Sequence, residues 1–354
     1  MSTFRYSAVN RDAQASHGAK QYNGLINQGS TCYLNTVLQC LYMTEDFRTA
    51  VQSFKPGPQH SSQRNADLLL QLQKLFEELN KVNATTKGIT KSLSIMNVHE
   101  QQDAVEYYQK ILKSIGLQVS QVFEGKMSNN SKCPEEHIYE EKCPFITIPL
   151  AIDSGHDEVY NVKEGLEAFF KPSQLDEDNW LYCDQCDKKT ETETWNEIEE
   201  FPTVLTLHLK RFDFDYMQMK HVKNHCPMEI PLTLQLKDYE YDLYAVVNHS
   251  GDRSGGHYNA VIKSFEDDQW YCFDDSFVTK DSVDTLQKSR LAYLLMYRQT
   301  APSGRDCALQ KPLKSTALSR MPFVRRNRFI IAGVVIMCLV PVMWRMFRIR
   351  FSKS

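Results

Sequence analysis

At 354 residues, with 42% hydrophobic and 24% charged residues, the chain is long enough for one large domain or two smaller ones and has an ordinary globular make-up. Its 41 basic and 44 acidic residues give a formal charge of −3, so nucleic acid is not an expected partner, and ten cysteines over this length do not amount to a dense disulfide framework. From Cys307 to Ser354 there are ten basic residues and no acidic one, which leaves 31 basic against 44 acidic residues upstream, a balance of −13 that suits a basic peptide substrate.

Residues 1–21 are polar, lack the apolar core of a signal peptide and read as a flexible leader in a chain from a reducing compartment. Residues 22–117 read as mainly helical. Leu34, Val37, Leu38, Leu41 and Tyr42 carry a helical period, as does the run 67–76, and a further helix is expected from the 97–103 segment through Lys113. Beyond Gly116 the texture turns to strands, at 119–126, 145–152, 204–212 and 244–247, followed by a hairpin, with a short helix over 162–170. Residues 301–328 form a basic linker. The sixteen uncharged residues 329–344 extend to 347 as an expected transmembrane tail anchor, with a short basic tail over 348–354. As a helix the uncharged run spans about 24 Å, short for a hydrocarbon core of about 30 Å unless Arg328 and Arg345 snorkel. A short span with basic flanks points to a cytosol-facing protein on the mitochondrial outer membrane, or else the endoplasmic reticulum.

Two segments carry chemistry. In Gly24-Leu25-Ile26-Asn27-Gln28-Gly29-Ser30-Thr31-Cys32-Tyr33-Leu34-Asn35, a cysteine ends a polar loop and begins a helix, where the positive end of the helix dipole favours a thiolate nucleophile. Asn27 stands where its amide could reach an oxyanion formed at the same spot. Far downstream, Gly255-Gly256-His257-Tyr258 opens one strand, and Trp270-Tyr271-Cys272-Phe273-Asp274-Asp275-Ser276 ends another on two carboxylates. A hairpin places His257 and Asp274 on neighbouring strands, which supplies the imidazole and the orienting carboxylate that thiol chemistry needs. The order cysteine, histidine, carboxylate is that of papain-like peptidases.

The segment Asn27 to Asn35 resembles the cysteine box of the ubiquitin-specific proteases, and the segments around His257 and Asp274 resemble their histidine box. Gln101-Gln102-Asp103-Ala104-Val105-Glu106-Tyr107 resembles the intervening glutamine-aspartate box, and Leu205-Thr206-Leu207-His208-Leu209-Lys210-Arg211-Phe212 the central strand motif. The four motifs occur in order over residues 24–298. The resemblance implies an α+β, papain-like fold with a helical thumb, a β-rich palm and β fingers, spanning residues 22–300. It also implies hydrolysis of the isopeptide bond after the C-terminal glycine of ubiquitin. Cys32 would be the nucleophile, His257 the base and acid, and Asp274 the orienter, with Asp275 as its understudy and Asn27 helping the oxyanion. Asp103 and Glu106, three apart on a helix face, would meet the two arginines of the ubiquitin tail. Gly255 and Gly256 would leave a slot for Gly-Gly, walled by Tyr258. A deconjugase of another ubiquitin-like modifier, or an inactive membrane-tethered ubiquitin-binding scaffold, are the alternatives.

Many relatives of this kind hold a structural zinc with two Cys-x-x-Cys pairs. Here Cys183 and Cys186 form one pair, while Glu136 occupies the partner position of Cys133. His137 is a possible substitute, and Cys143 another candidate. The sequence therefore reads as an enzyme without a cofactor, structural zinc being the less favoured option.

Overall fold

The computed structural model describes residues 22–55 and 63–300, apart from residues 154, 156, 157, 216, 218, 253, 254 and 287. The leader 1–21, the linker 301–328, the apolar segment 329–347 and the basic tail 348–354 lie outside the described residues. Among the described residues no helix is long and apolar enough to cross a membrane.

The helical expectations at the N-terminal end are met by Cys32–Tyr42, Gln63–Leu79 and Ala104–Ile115. Every residue of the Cys32–Tyr42 helix is buried, because it is wedged between the other helices and the strand that carries His257. One expectation fails here. Residues 119–126 read as a strand, but Leu117–Ser120 and Gln121–Phe123 are helical turns and the strand starts only at Gly125. Val119 and Phe123 are both buried four residues apart, a spacing that a helical turn places on one face.

The palm sheet runs, in spatial order, Phe277–Asp281, Trp270–Asp274, Gly256–Lys263, Tyr239–Gly251, Ala292–Gln299, Val204–Lys210 and Ile148–Ala151, with Thr233–Leu236 also on the long Tyr239–Gly251 strand. All pairings are antiparallel except that of Val204–Lys210 with Ile148–Ala151. Both faces of this sheet are covered, so its central strands read as unbroken apolar runs rather than as alternating ones. Val204, Tyr244 and Val247 pack toward the helices, while Leu205, Leu207, Leu209 and Val246 pack toward a second core that holds Leu166 of the Val162–Phe170 helix. That helix has the bounds expected from its sequence. Arg211, fully buried at the end of the central strand motif, donates to the carbonyls of Ala292, Asn224 and Cys226 at 2.6–3.0 Å, so it ties loops to the sheet.

A separate four-stranded sheet, in the order Ile138–Phe145, Gly125–Lys132, Glu193–Glu200 and Ser173–Gln174, makes the fingers. A two-stranded piece, Leu181–Cys183 with Lys188–Thr190, brings Cys183 and Cys186 up to its tip.

Candidate active site

Cys32 is the first residue of its helix and lies only 3% exposed. The loop before it is shaped by the Asn27 side chain. Its Oδ1 accepts from the amides of Gly29 at 2.9 Å and Thr31 at 3.1 Å, which curls the backbone into the helix start. Gly29 has φ +148°, and a Cβ there would lie 2.4 Å from His99, so the turn needs glycine.

Period-two alternation on the Gly256–Lys263 strand aims His257 away from the buried Tyr258. His257 Nε2 lies 2.5 Å from Asp274 Oδ1 on the adjoining strand. This contact first, and the hydrogen bond with Cys32 second, push the imidazole up to about 10, against a smaller opposing effect of burial. Both the carboxylate and the cysteine sulfur thus favour the charged form of His257.

Asp275 lies close to the same pair, the ligand atoms of His257, Asp274 and Asp275 all falling within 4.8 Å of one another, and its backbone has φ 51°, in the left-handed region. Oδ2 accepts from Asn27 Nδ2 at 2.9 Å and Oδ1 from Asn35 Nδ2 at 2.8 Å, while its carbonyl accepts from Leu25 N at 2.8 Å. Through these bonds Asp275 fastens the Asn27 loop and the Cys32 helix to the palm, with its carboxylate still beside His257. A Cβ on Gly24 would sit 2.3 Å from that same carbonyl, which explains the glycine. Asn27 Nδ2 keeps a second N–H beyond the one given to Asp275.

The expected substrate contacts divide. Asp103 is not on a helix face with Glu106 but caps the helix: its Oδ1 accepts from Val105 N at 2.8 Å and Glu106 N at 2.9 Å, and its Oδ2 from the Tyr293 hydroxyl. An Asp with Glu three residues on, before an apolar run, is a helix-start signature, and Asp103 serves as that cap. Glu106 is exposed. A Cβ on Gly256 would meet Ser250 O at 2.3 Å and His249 Nε2 at 2.5 Å, so its missing side chain serves internal packing, whereas Gly255 opens onto free space. Tyr258 is 3% exposed with its ring against those of His249 and Tyr293, so it supports the site from behind and walls no open slot.

Four residues of the surroundings received no role from the sequence. Asn35 joins the Asp275 clamp. Gln101 Oε1 accepts from Gly256 N at 2.6 Å, and its Nε2 lies 3.1 Å from His249 Nε2. Lys223 Nζ lies 2.8 Å from His249 Nδ1. Gln101 was within a recognisable motif. Lys223, in the polar run Lys220-His221-Val222-Lys223, reads as a surface lysine until the fold buries it.

At the finger tip Cys133, His137, Cys183 and Cys186 present ligand atoms that all lie within 4.8 Å of one another. His137 Nδ1 is 3.5 Å from Cys133 Sγ, 3.5 Å from Cys183 Sγ and 3.3 Å from Cys186 Sγ, and Cys133 Sγ is 3.8 Å from Cys186 Sγ. A tetrahedron with zinc–sulfur bonds of about 2.3 Å and a zinc–nitrogen bond of about 2.0 Å has S–S edges near ~3.8 Å and S–N edges near ~3.5 Å, so the donor set fits Zn²⁺. Desolvation first, then the neighbouring thiols, push Cys186 up to about 12, while the Cys186 backbone amide foremost draws Cys183 down to about 7. Cys143 stands apart, its sulfur accepting from Asn129 Nδ2 at 3.4 Å.

Residues 23–297 match the family described as ubiquitin carboxyl-terminal hydrolase. Ubiquitin carboxyl-terminal hydrolase 47 of Drosophila melanogaster is 30% identical over 81% of this chain and 25% of its own length. The Homo sapiens protein of that name is 28% identical over 80% of this chain and 28% of its own. The chain thus spans about a quarter of the curated relatives it matches. Among solved structures, one described as the SAGA Ubp8/Sgf11/Sus1/Sgf73 DUB module bound to ubiquitin aldehyde aligns with a TM-score of 0.67 at 26% identity, over 79% of this chain and 70% of that one. On the family match, which covers most of its length, and on its papain-like α+β architecture, the chain belongs to the ubiquitin carboxyl-terminal hydrolase family.

Proposed function

We propose that this protein is a thiol-dependent deubiquitinase that hydrolyses the isopeptide bond after the C-terminal glycine of ubiquitin. The observation that carries the reading is His257 set 2.5 Å from Asp274 and beside Cys32 at the start of its helix. The imidazolium is the counter-ion that a Cys32 thiolate needs. The thiolate attacks the glycine carbonyl, and the spare N–H of Asn27 with the Cys32 backbone N–H receives the oxyanion. His257 then passes its proton to the departing lysine amine, and later accepts one from the water that releases the acyl group. Asp274 fixes the ring orientation throughout. Glu106, exposed on the first turn of its helix, offers a carboxylate to a cationic substrate tail, and Gly255 offers backbone unobstructed by a side chain.

The test is reaction of the purified chain with a ubiquitin bearing a C-terminal electrophile. A covalent adduct in the wild type and none in Cys32→Ser is the expected result. No adduct in the wild type would leave the scaffold reading standing, and faster reaction with another modifier in a parallel panel would redirect the substrate assignment.

The proposed organisation is a catalytic domain over 22–300, a linker over 301–328 and a membrane anchor over 329–347, with the catalytic domain facing the cytosol on the mitochondrial outer membrane or the endoplasmic reticulum. What supports the anchor is the uncharged apolar run between two groups of basic residues. Co-flotation of the full chain with liposomes, lost in a chain ending at residue 300, tests it. We further propose that Cys133, His137, Cys183 and Cys186 hold a structural Zn²⁺, which would pin the finger tip. The fit of the donor spacing to a tetrahedral site favours the metal more than the sequence did.

A further inference from the structure

The hydrogen bonds behind His257 fix the position of protons. Gly256 N can only donate, and it donates to Gln101 Oε1 at 2.6 Å. The end of the Gln101 amide that faces His249 is therefore the NH₂ group. Facing that donor at 3.1 Å, His249 Nε2 must accept. A neutral imidazole has one accepting and one protonated nitrogen, so the ring proton sits on Nδ1. Nδ1 lies 2.8 Å from Lys223 Nζ. An ammonium there would bring donor against donor. A neutral amine would accept the Nδ1–H with its lone pair, and its own two N–H groups would go to His249 O at 2.6 Å and Gly251 O at 3.2 Å. Every group in the chain is then satisfied.

We infer that Lys223 works as a neutral amine, a positioning residue that ties the proton count of this relay to the placement of Gly256 and so of His257. The inference rests on the reading of His257 as the catalytic base. Gly251 and Gly256 are register partners at the end of the His257 hairpin, so the relay grips both strands one residue from the imidazole. It also crosses the cleft, since Gln101 precedes the Ala104–Ile115 helix while His249 and Gly256 belong to the palm.

The surroundings agree. Lys223 is 6% exposed and His249 1% exposed. Burial foremost, with Arg211 next, draws Lys223 down to about 8, against a smaller opposing pull from Asp252. Burial foremost draws His249 down to about 4, opposed by Asp103 and Asp252; Lys223, in its charged form only, and His225 act in the same sense as burial. The remaining faces are aromatic: Phe212 lies 5.7 Å from Lys223 Nζ, and Tyr258 and Tyr293 flank the His249 ring. A proton added to Lys223 meets the His249 Nδ1–H and forces the ring to the other tautomer. The Nε2–H then faces the Gln101 amide, and the Gly256 anchor is lost.

The test reads the tautomer directly, by long-range ¹H–¹⁵N correlation on the full chain labelled with ¹⁵N-histidine, at a pH above 8. The His249 signals are those lost in His249→Asn; if that variant does not fold, they are those that move in Lys223→Met. The expected result is the Nδ1–H tautomer in the wild type and the Nε2–H tautomer in Gln101→Glu, whose second oxygen demands a donor. Nε2–H in the wild type, or an imidazolium, overturns the proposal. In parallel, Lys223→Met is expected to slow the ubiquitin-probe reaction of Cys32 about tenfold, and Gln101→Glu to abolish the acid limb of its pH profile near 8; wild-type rates in Lys223→Met overturn the positioning role. The tautomer does not depend on substrate. A wild-type chain that ignores the probe yet shows Nδ1–H refutes the deubiquitinase reading and leaves the relay in place.

Discussion

Asp275→Asn separates two readings of the adjacent carboxylates. The variant keeps the shape of the side chain, and asparagine tolerates the left-handed backbone that Asp275 adopts at φ 51°, where alanine would add strain of its own. One oxygen, however, becomes an NH₂ group, and both oxygens of Asp275 face amide donors, Asn27 at 2.9 Å and Asn35 at 2.8 Å. One of these bonds must turn into a donor–donor contact. A hydrogen bond to a charged acceptor contributes about 1.5–3 kcal/mol. If the lost partner is Asn27, the oxyanion donor loses its anchor, and about 1.4 kcal/mol per tenfold converts that energy to roughly a 10- to 150-fold fall in kcat/KM. The ceiling is the ~10²–10³-fold cost of losing an oxyanion donor outright. The assay is steady-state hydrolysis of a fluorogenic amide at the C-terminus of ubiquitin, measured across pH. The fall should be in amplitude alone, with the pH profile unmoved, and Tm should drop by about 2–4 °C per kcal/mol lost. Wild-type kcat/KM would refute the clamp. A shifted pH profile would return Asp275 to the role of His257's orienter.

Asp274→Asn should do the reverse, moving the basic limb of the profile down from near 10 toward the ordinary histidine value of about 6.5 as the contact that raises His257 is lost. Because His257 is raised in the folded state, its contribution to stability is whole below about 6.5 and lost as pH rises through about 10; that fall in Tm should be present in the wild type and absent in Asp274→Asn. Metal analysis should find one equivalent of zinc in the purified chain and loss of it in His137→Ala; less than about a tenth of an equivalent in the wild type would sink the assignment. Asp103→Ala should lower stability by about 1 kcal/mol through the lost helix cap while Asp103→Asn, which still caps, should not. Glu106→Gln, by contrast, should raise KM for ubiquitin substrates with Tm unchanged, and an unchanged KM would remove Glu106 from the tail contacts.

The sequence disclosed those parts of the site whose signal is local. Cys32 follows a turn-forming loop and starts an amphipathic run, and His257 and Asp274 sit on strands marked by their own apolar residues, so their juxtaposition needed only a hairpin. The Val162–Phe170 helix was legible for the same reason. What stayed hidden depends on partners far along the chain. Asp275 and Asp274 look equivalent until a positive φ sends one carboxylate toward Asn27 and Asn35, 248 and 240 residues away. The cap role of Asp103 is hidden because spacing alone does not tell the cap from the first turn. The Gly255-Gly256 pair reads as substrate space throughout, but the side-chain position of Gly256 is taken by Ser250 and His249. The cluster of Cys133, His137, Cys183 and Cys186 is hard to read in the sequence because His137 stands one position away from the expected cysteine, an offset that the finger geometry reconciles.

The division of labour between Asp274 and Asp275 bears on how the site is assembled. Cys32, Asn27 and Asn35 belong to the helical thumb; His257 and both aspartates belong to the palm. Asp274 acts within the palm, where two neighbouring strands hold it against His257 whatever the thumb does. Asp275 acts across the boundary, and its two hydrogen bonds with that from Leu25 N to its carbonyl set where the thumb docks beside the imidazole. Because one carboxylate holds both Asn27 and Asn35, weakening it is expected to disturb the Asn27 loop and the Cys32 helix together, even though hydrogen bonds between Thr44 and Tyr244 and between Tyr108 and Thr206 also join the helices to the palm.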